Sequence, residues 1–386
     1  MIVLAGPINL EKNEPMPTPW KRDMDEARSQ LAKWLGIQIP EARDLEVSEI
    51  TEPTTSGFSN ETLLFSIDYR VDGEKRREEL VARVQPTGYQ VFPSYDMSVQ
   101  FRAMELLGPT DVPVPRVRWL ENEDTQVLGA PFYVMDRVDG RVPTDNPPYH
   151  AGGWVTEIST EERRAIWLGG FECMARIHRL DYEKTGFGFL EQPEWGDTPL
   201  DRQINQYKRY LEWAARGRPQ PTAEAALDWL EKNKPENEPT GIVWGDARIG
   251  NVIFAEGGSP AAVVDWEMVT LGSPETDFGW AIFVDRHHSE GLGVPRLHGF
   301  PSYDETIAFY QEHSGHKIAN LHYYQAFAGF RFAVVMARLA QQMVYYEVMD
   351  EEAGLEFETN NTVTRLLASI LELPPPGEKA GAAGEY

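Results

Sequence analysis

Residues 241–265 read GIVWGDARIGNVIFAEGGSPAAVVD: three short apolar runs, 241–244, 251–254 and 261–265, broken by polar loops. Runs this short, rich in Val and Ile and bounded by glycine, predict strands. The last two flank Glu256-Gly257-Gly258-Ser259, which has the chemistry of a hairpin turn. Asn251 begins one strand of that hairpin and Asp265 ends the other. An antiparallel pair brings both side chains to one end, where an amide and a carboxylate can share a hard cation. Asp246 stands five positions before Asn251. The five-residue spacing alone arises by chance; followed by strand, turn, strand and Asp, it is a strong pattern.

Phosphoryl transfer asks for such a set: a carboxylate at the attacking hydroxyl, a metal held by oxygen ligands, and cations on the phosphates. In the kinase catalytic loop this same spacing joins an Asp that accepts the hydroxyl proton to an Asn that coordinates magnesium. Asp246 is then the candidate base, with Asn251 and Asp265 the candidate metal ligands. Arg248, two residues after Asp246, either approaches the transferring phosphate or makes an ordinary surface ion pair.

The rest of the chain frames this segment. Its 386 residues suggest two lobes. A helix is expected over 21–35. Leu63, Phe65, Ile67, Tyr69 and Val71 alternate as a half-buried strand, Asp72-Gly73 turns it, and residues 80–85 return as a second strand. A helix over 96–107 and a strand over 131–138 follow, then helices near 160–180, 200–215, 222–233 and 322–346. The predicted architecture is α+β: an N-terminal lobe, 1–138, built on a small antiparallel sheet, and a larger, mainly helical lobe, 139–373. A Pro-, Gly- and Ala-rich tail, 374–386, is expected to be disordered. A cleft between lobes is where nucleotide sites form.

The 36 basic and 61 acidic side chains leave a net charge of −25. That argues against nucleic acid or an anionic membrane as partner and mildly favours a cationic substrate. No apolar run reaches membrane-spanning length, and the apolar start is too short for a signal peptide. The one cysteine, Cys173, falls on an apolar helical pattern and reads as core. A reduced cytoplasm is the expected location. Oligomeric state is open.

The segments GIVWGDARIGNVIF and AAVVDWEMVTLGSPETDFGW resemble the aminoglycoside phosphotransferase-like family of the protein-kinase-like superfamily, in the branch of kinase domains associated with acyl-CoA dehydrogenases. The resemblance spans roughly residues 45–345. It implies a bilobal protein-kinase-like fold, ATP and magnesium as cofactors, and a hydroxyl-bearing small molecule as acceptor. It makes Asp246 the catalytic base, Asn251 and Asp265 the metal ligands, Glu267 an accessory of the metal site or the substrate, and Asp277 a brace of the catalytic loop. Relatives have His where this chain has Trp244, a position that packs. Ser56, Gly57, Ser59 and Asn60 match a loop that covers the ATP phosphates, a task suited to exposed N–H groups and small hydroxyls. Arg83 takes the place of the lysine on the α and β phosphates. Its usual helix partner is Glu; here Gln100 falls there, unless Glu105 serves one turn later. Residues 135–138 become the hinge, with Asp136 and Val138 at the adenine.

Several features stay outside the constellation. His178 reads as a satisfied core histidine, and the adjacent His287 and His288 lack a partner at metal-ligand spacing. Arg331 and Arg338 lie seven apart on one face of the last long helix. They either pair with carboxylates such as Glu275 and Asp277 or receive an anionic substrate. The acceptor expected is aminoglycoside-like or hydroxyacyl-CoA-like, with choline-like and sugar acceptors left open. The rival reading, a non-catalytic nucleotide-binding pseudokinase, rests on Gln100.

Overall fold

The computed structural model describes residues 22–53, 59–236 and 238–377. Ser56 and Gly57 therefore lie outside the described residues.

Helix α1 (Met24–Gln38) starts at Asp23, whose carboxylate accepts the Asp25 and Glu26 N–H groups. Strands β1 (Arg43–Val47), β2 (Glu61–Val71) and β3 (Glu74–Val84) follow, then α2 (Met97–Leu107), β4 (Val117–Glu121) and β5 (Phe132–Asp136). They form one antiparallel sheet in the order β1-β2-β3-β5-β4. The β2–β3 hairpin closes on Asp72 (φ 52°) and Gly73 (φ 85°), a two-residue turn with both residues left-handed. Strand β3 is about twice as long as the apolar run 80–85 suggests, because its first half, EKRREE, is largely solvated and is set in place by the register with β2. Period-two alternation sends Leu63, Phe65, Ile67, Leu80, Ala82 and Val84 into the core under α1. Val81 and Tyr133 point the other way, toward the second lobe's core.

The larger lobe contains α3 (Thr160–His178), the single turn α4 (Tyr182–Thr185), α5 (Pro199–Ala215) and α6 (Pro221–Lys232). Four short strands follow: β6 (Gly241–Val243), β7 (Val252–Phe254), β8 (Pro260–Val263) and β9 (Thr270–Gly272). Then come α7 (Glu275–His288), α8 (Tyr303–Ser314), α9 (Leu321–Tyr345), α10 (Glu351–Thr359) and α11 (Thr362–Ile370). β7 and β8 form the expected hairpin, while the first apolar run, β6, pairs instead with β9. Helix α9 is buried on every face along Ala326–Met343, so its sequence is apolar all round. It packs against α5, α6, α7, α10 and α11 and forms the lobe's spine. The fold is thus bilobal and protein-kinase-like, a small antiparallel sheet beside a larger helical lobe. Among the described residues no helix is long and apolar enough to cross a membrane.

Candidate active site

The loop after β6 is fixed by its own backbone. Gly245 has φ +95°, and a Cβ there would lie 2.1 Å from the Met268 carbonyl oxygen, so only glycine fits. Asp277, fully buried in the first turn of α7, accepts the N–H of Trp244 at 2.7 Å and of Gly245 at 2.8 Å. It also accepts His178 Nε2 at 3.0 Å, and His178 Nδ1 in turn meets the Tyr310 hydroxyl at 2.6 Å. His178 is therefore a satisfied core histidine. Trp244 is buried, and its indole N–H is shared by the Val264 and Asp265 carbonyls, which pins the loop to the end of β8.

Asp246 projects from this loop. Its Oδ1 accepts the Trp280 indole N–H at 2.7 Å, and its Oδ2 accepts Asn251 Nδ2 at 2.6 Å. Arg248 Nε lies 3.1 Å from both oxygens. Arg248 Nη1 reaches Asp145 Oδ1 and Oδ2, each at 2.7 Å. Arg248 is thus ion-paired, but with its guanidinium mostly enclosed between two carboxylates and not out on the surface. Burial disfavours its charge, but Asp145 and Asp246 more than offset this and raise its pKa. Burial likewise opposes the charge on Asp145, and Arg248 leads the charges that hold its carboxyl below the usual range. Trp280 and Asp145 had no motif to mark them.

The hairpin delivers Asp265 beside Asn251: the Val264 N–H donates to the Asn251 carbonyl at 3.0 Å. Asp265 has φ +63°, a left-handed conformation uncommon for a residue with a side chain. Arg83 Nη2 lies 3.8 Å from Asp265 Oδ2, and its Nη1 donates to Thr62 Oγ1 at 2.6 Å. Burial raises the Asp265 pKa, with Arg83 opposing and Asp246 adding to the rise. Burial, then the Asp265 charge, pushes Glu267 up to about 8. Ser59 Oγ donates to Glu267 Oε2. Gln100 accepts the Tyr133 hydroxyl at 3.3 Å and Glu105 is exposed, so the carboxylate facing Arg83 comes from Asp265 and not from α2.

Two cavities meet at these residues. One, of about 1180 Å³, runs between the lobes past Val81, Arg83, Met135, Asp136, Val138 and Asn251. The other, of about 760 Å³, is walled by Phe92, Met268, Trp280, Phe332 and Leu339, with Asp246 and Glu267. Asp145, Arg248 and Asp265 line both. Asp136 faces the first cavity with its carboxylate engaged by Arg118 at 2.9 Å. Ser59 lines the second cavity, not the interlobe one. Asn60 is not brought to either wall: it is fully buried at the start of β2, next to Glu61, whose carboxylate is drawn inward by Arg22 at 2.6 Å.

Among the described residues no group of three His, Cys, Asp or Glu side chains could hold a metal unaided. Asn251 donates both its amide bonds to Asp246, at the carbonyl (3.0 Å) and the carboxylate, so its Oδ1 accepts nothing among the described residues. With Asp265 it offers two oxygen ligands. That suits magnesium, which takes one or two protein oxygens and completes its shell with phosphates and water.

Arg331 and Arg338 pair with neither Glu275 nor Asp277. Glu275 caps the N–H groups of Ala319 and Asn320. Arg331 donates to the Gly245 carbonyl at 2.9 Å and lies 4.6 Å from the Trp280 ring centre, while Arg338 donates to Gln341 Oε1 and the Gln90 carbonyl. Backbone carbonyls and aromatic faces take the place of carboxylates.

Comparison with known proteins agrees with this geometry. Residues 51–310 match the model of the phosphotransferase enzyme family. Acyl-CoA dehydrogenase family member 10 of Mus musculus is 30% identical over 271 residues, 67% of this chain and 24% of that protein. Acyl-CoA dehydrogenase family member 11 of Homo sapiens is 27% identical over 305 residues, 73% of this chain and 36% of that protein. The chain thus spans well under half the length of these relatives. A Ralstonia eutropha structure, provisionally described as an aminoglycoside phosphotransferase, superposes with a TM-score of 0.65 at 25% identity, covering 89% of this chain and 98% of that one. With a family match over more than half its length, this chain belongs to the phosphotransferase enzyme family.

Proposed function

We propose that this chain transfers the γ-phosphoryl group of ATP to a hydroxyl on a small molecule, with magnesium, in the cytoplasm. The observation that supports it is the junction: Asp246, Arg248 and Asp265 stand where the interlobe cleft meets a second cavity. On this reading ATP occupies the cleft between lobes that meet near residues 138–140, its adenine at the 135–138 backbone. The acceptor occupies the second cavity, its hydroxyl at Asp246.

The chain's own work is positioning and charge placement. Trp280 and Asn251 fix the Asp246 carboxylate so that it orients the hydroxyl and accepts its proton. Arg83 and Arg248 place positive charge along the phosphates. Asn251 and Asp265 would hold magnesium, which supplies charge neutralisation on the β and γ oxygens when bound. The second cavity joins an apolar wall of Phe92, Met268, Phe332 and Leu339 to a carboxylate side of Asp145, Asp246, Asp265 and Glu267, and the apolar wall suits an acceptor with an apolar body such as a hydroxyacyl chain.

The test is ADP release with Mg-ATP and a panel of hydroxy acids, their CoA thioesters and aminoglycosides. Turnover is expected on hydroxyacyl compounds and lost with chelator or in Asp246→Asn. No turnover above the Asp246→Asn control on any acceptor would leave the pseudokinase reading.

A further inference from the structure

We propose that residues 86–95 form the acceptor-selecting wall of this site, with Phe92 setting how bulky an apolar body the second cavity seats. This rests on the acceptor reading above. In sequence the segment joins β3 to α2 and belongs to the small lobe. The hydrogen bonds it makes beyond itself include four to the large lobe. The Tyr210 hydroxyl on α5 donates to the Val91 carbonyl at 2.6 Å, and Arg338 on α9 donates to the Gln90 carbonyl at 2.7 Å. The Tyr89 N–H donates to the Tyr346 hydroxyl at 3.0 Å, and the Tyr89 hydroxyl donates to Gln341 at 3.0 Å. Val91 is buried in the large lobe's core among α5 and α9 side chains.

This fastening explains an otherwise costly residue. Arg338 is buried, faces no carboxylate among the described residues, and lies 3.8 Å from the Trp213 ring centre and 4.4 Å from that of Tyr89. Besides its bond to Gln341 and its contact with Trp213, this buried cation ties the segment to α9 through the Gln90 carbonyl and the Tyr89 ring.

Val91 and Phe92 both line the second cavity, but they differ in freedom. Val91 is core. Phe92 is half-buried, and its backbone is held by the Tyr95 hydroxyl, which accepts the Val91 and Phe92 N–H groups at 3.1 Å each. Its ring packs on the edge of the α5–α9 core, with its centre 5.9 Å from those of Tyr210 and Tyr95, and stays partly exposed to the cavity.

The experiment measures kcat/KM over hydroxy acids of increasing chain length and branching, for the wild type, Phe92→Ala and Phe92→Trp. Phe92→Ala should move the ratio of bulky to small acceptors up by about tenfold and Phe92→Trp should move it down, since one methylene in an apolar pocket is worth at least that much. The KM for ATP should stay within about twofold. Arg338→Met, which unfastens the segment, should raise the acceptor KM and blunt the size ranking; a merely structural role would lower Tm and leave the ranking intact. A ranking that is the same in all three Phe92 forms overturns the proposal. Should the wild type phosphorylate nothing, the phosphotransfer reading fails separately, and calorimetric binding of the same acids decides this one. A size ranking that follows residue 92 supports it; an unchanged ranking, or no binding at all, refutes it.

Discussion

Asp277→Asn isolates the device that holds the catalytic loop. The Asp277 carboxylate has no exposure and serves three donors: Oδ2 takes the Trp244 N–H and His178 Nε2, and Oδ1 takes the Gly245 N–H. Since a carboxylate only accepts, His178 carries its proton on Nε2, and its Nδ1 accepts from Tyr310. Asn has the same shape but a single acceptor oxygen. Whichever way the amide turns, its NH₂ confronts a backbone N–H. A buried donor left facing a donor costs about 1–3 kcal/mol, and the remaining bonds lose their charge assistance, so the total is about 2–4 kcal/mol. The urea midpoint should fall with the m-value unchanged. Transfer should fall by about 100-fold, because a displacement of about 1 Å at Gly245 moves Asp246 out of line. Tyr310→Phe, which removes only the far end of the chain, should cost about 1 kcal/mol and spare kcat. An Asp277→Asn protein with wild-type midpoint and kcat would refute the account.

Three further outcomes are open to direct measurement. Gly245→Ala should abolish transfer and lower Tm, because its Cβ would sit 2.1 Å from the Met268 carbonyl oxygen; Gly257→Ala, at φ +82° with nothing within 4 Å, should cost only about 1 kcal/mol, as read by thermal unfolding. Burial holds His287 down at about 3 and His288 down at about 4, against 6.5 for an exposed imidazole, with Asp145 partly opposing. The unfolded chain takes up those protons first, so this contribution is complete above 6.5 and lost as pH falls from 6.5 toward about 3; urea midpoints should drop through that window, and His287→Phe should flatten the slope. Cys173 is buried, and burial pushes its thiol up to about 12, so a thiol reagent should label unfolded but not native protein.

The parts of the site that were legible in the sequence are those set by local chain geometry. Asp246, Asn251 and Asp265 sit within one loop and one hairpin, so spacing and turn chemistry place them. What spacing cannot place arrives from afar. Trp280 and Asp145 come from α7 and from the stretch between β5 and α3, and contact Asp246 and Arg248 only through the tertiary fold. The β6 run was readable as a strand, but its partner β9 lies beyond the whole hairpin. The partners of Arg331 and Arg338 were misjudged for a different reason. Every residue has a carbonyl, so a carbonyl acceptor leaves no trace in composition, whereas a carboxylate invites the guess. The segment 86–95 shows the same limit: its position between β3 and α2 says small lobe, and its hydrogen bonds say large lobe.

The charge balance of the site bears on Gln100, the one residue that favoured a pseudokinase. Asp145, Asp246, Asp265 and Glu267 are four carboxylates, against two guanidinium groups, Arg83 and Arg248. Burial, and after it the charge of Asp265, pushes Glu267 up to about 8. A Glu at position 100, on the Tyr133 side of the site, would add a fifth negative charge. Gln100 instead bonds Tyr133 and leaves the guanidinium to Asp265. In a kinase whose helix supplies Glu, that residue orients the cation; here Thr62 and Asp265 do so from the sheet and the hairpin. Gln100 then fits an active transferase as well as an inactive one, and the weight of the choice passes to Asp246→Asn.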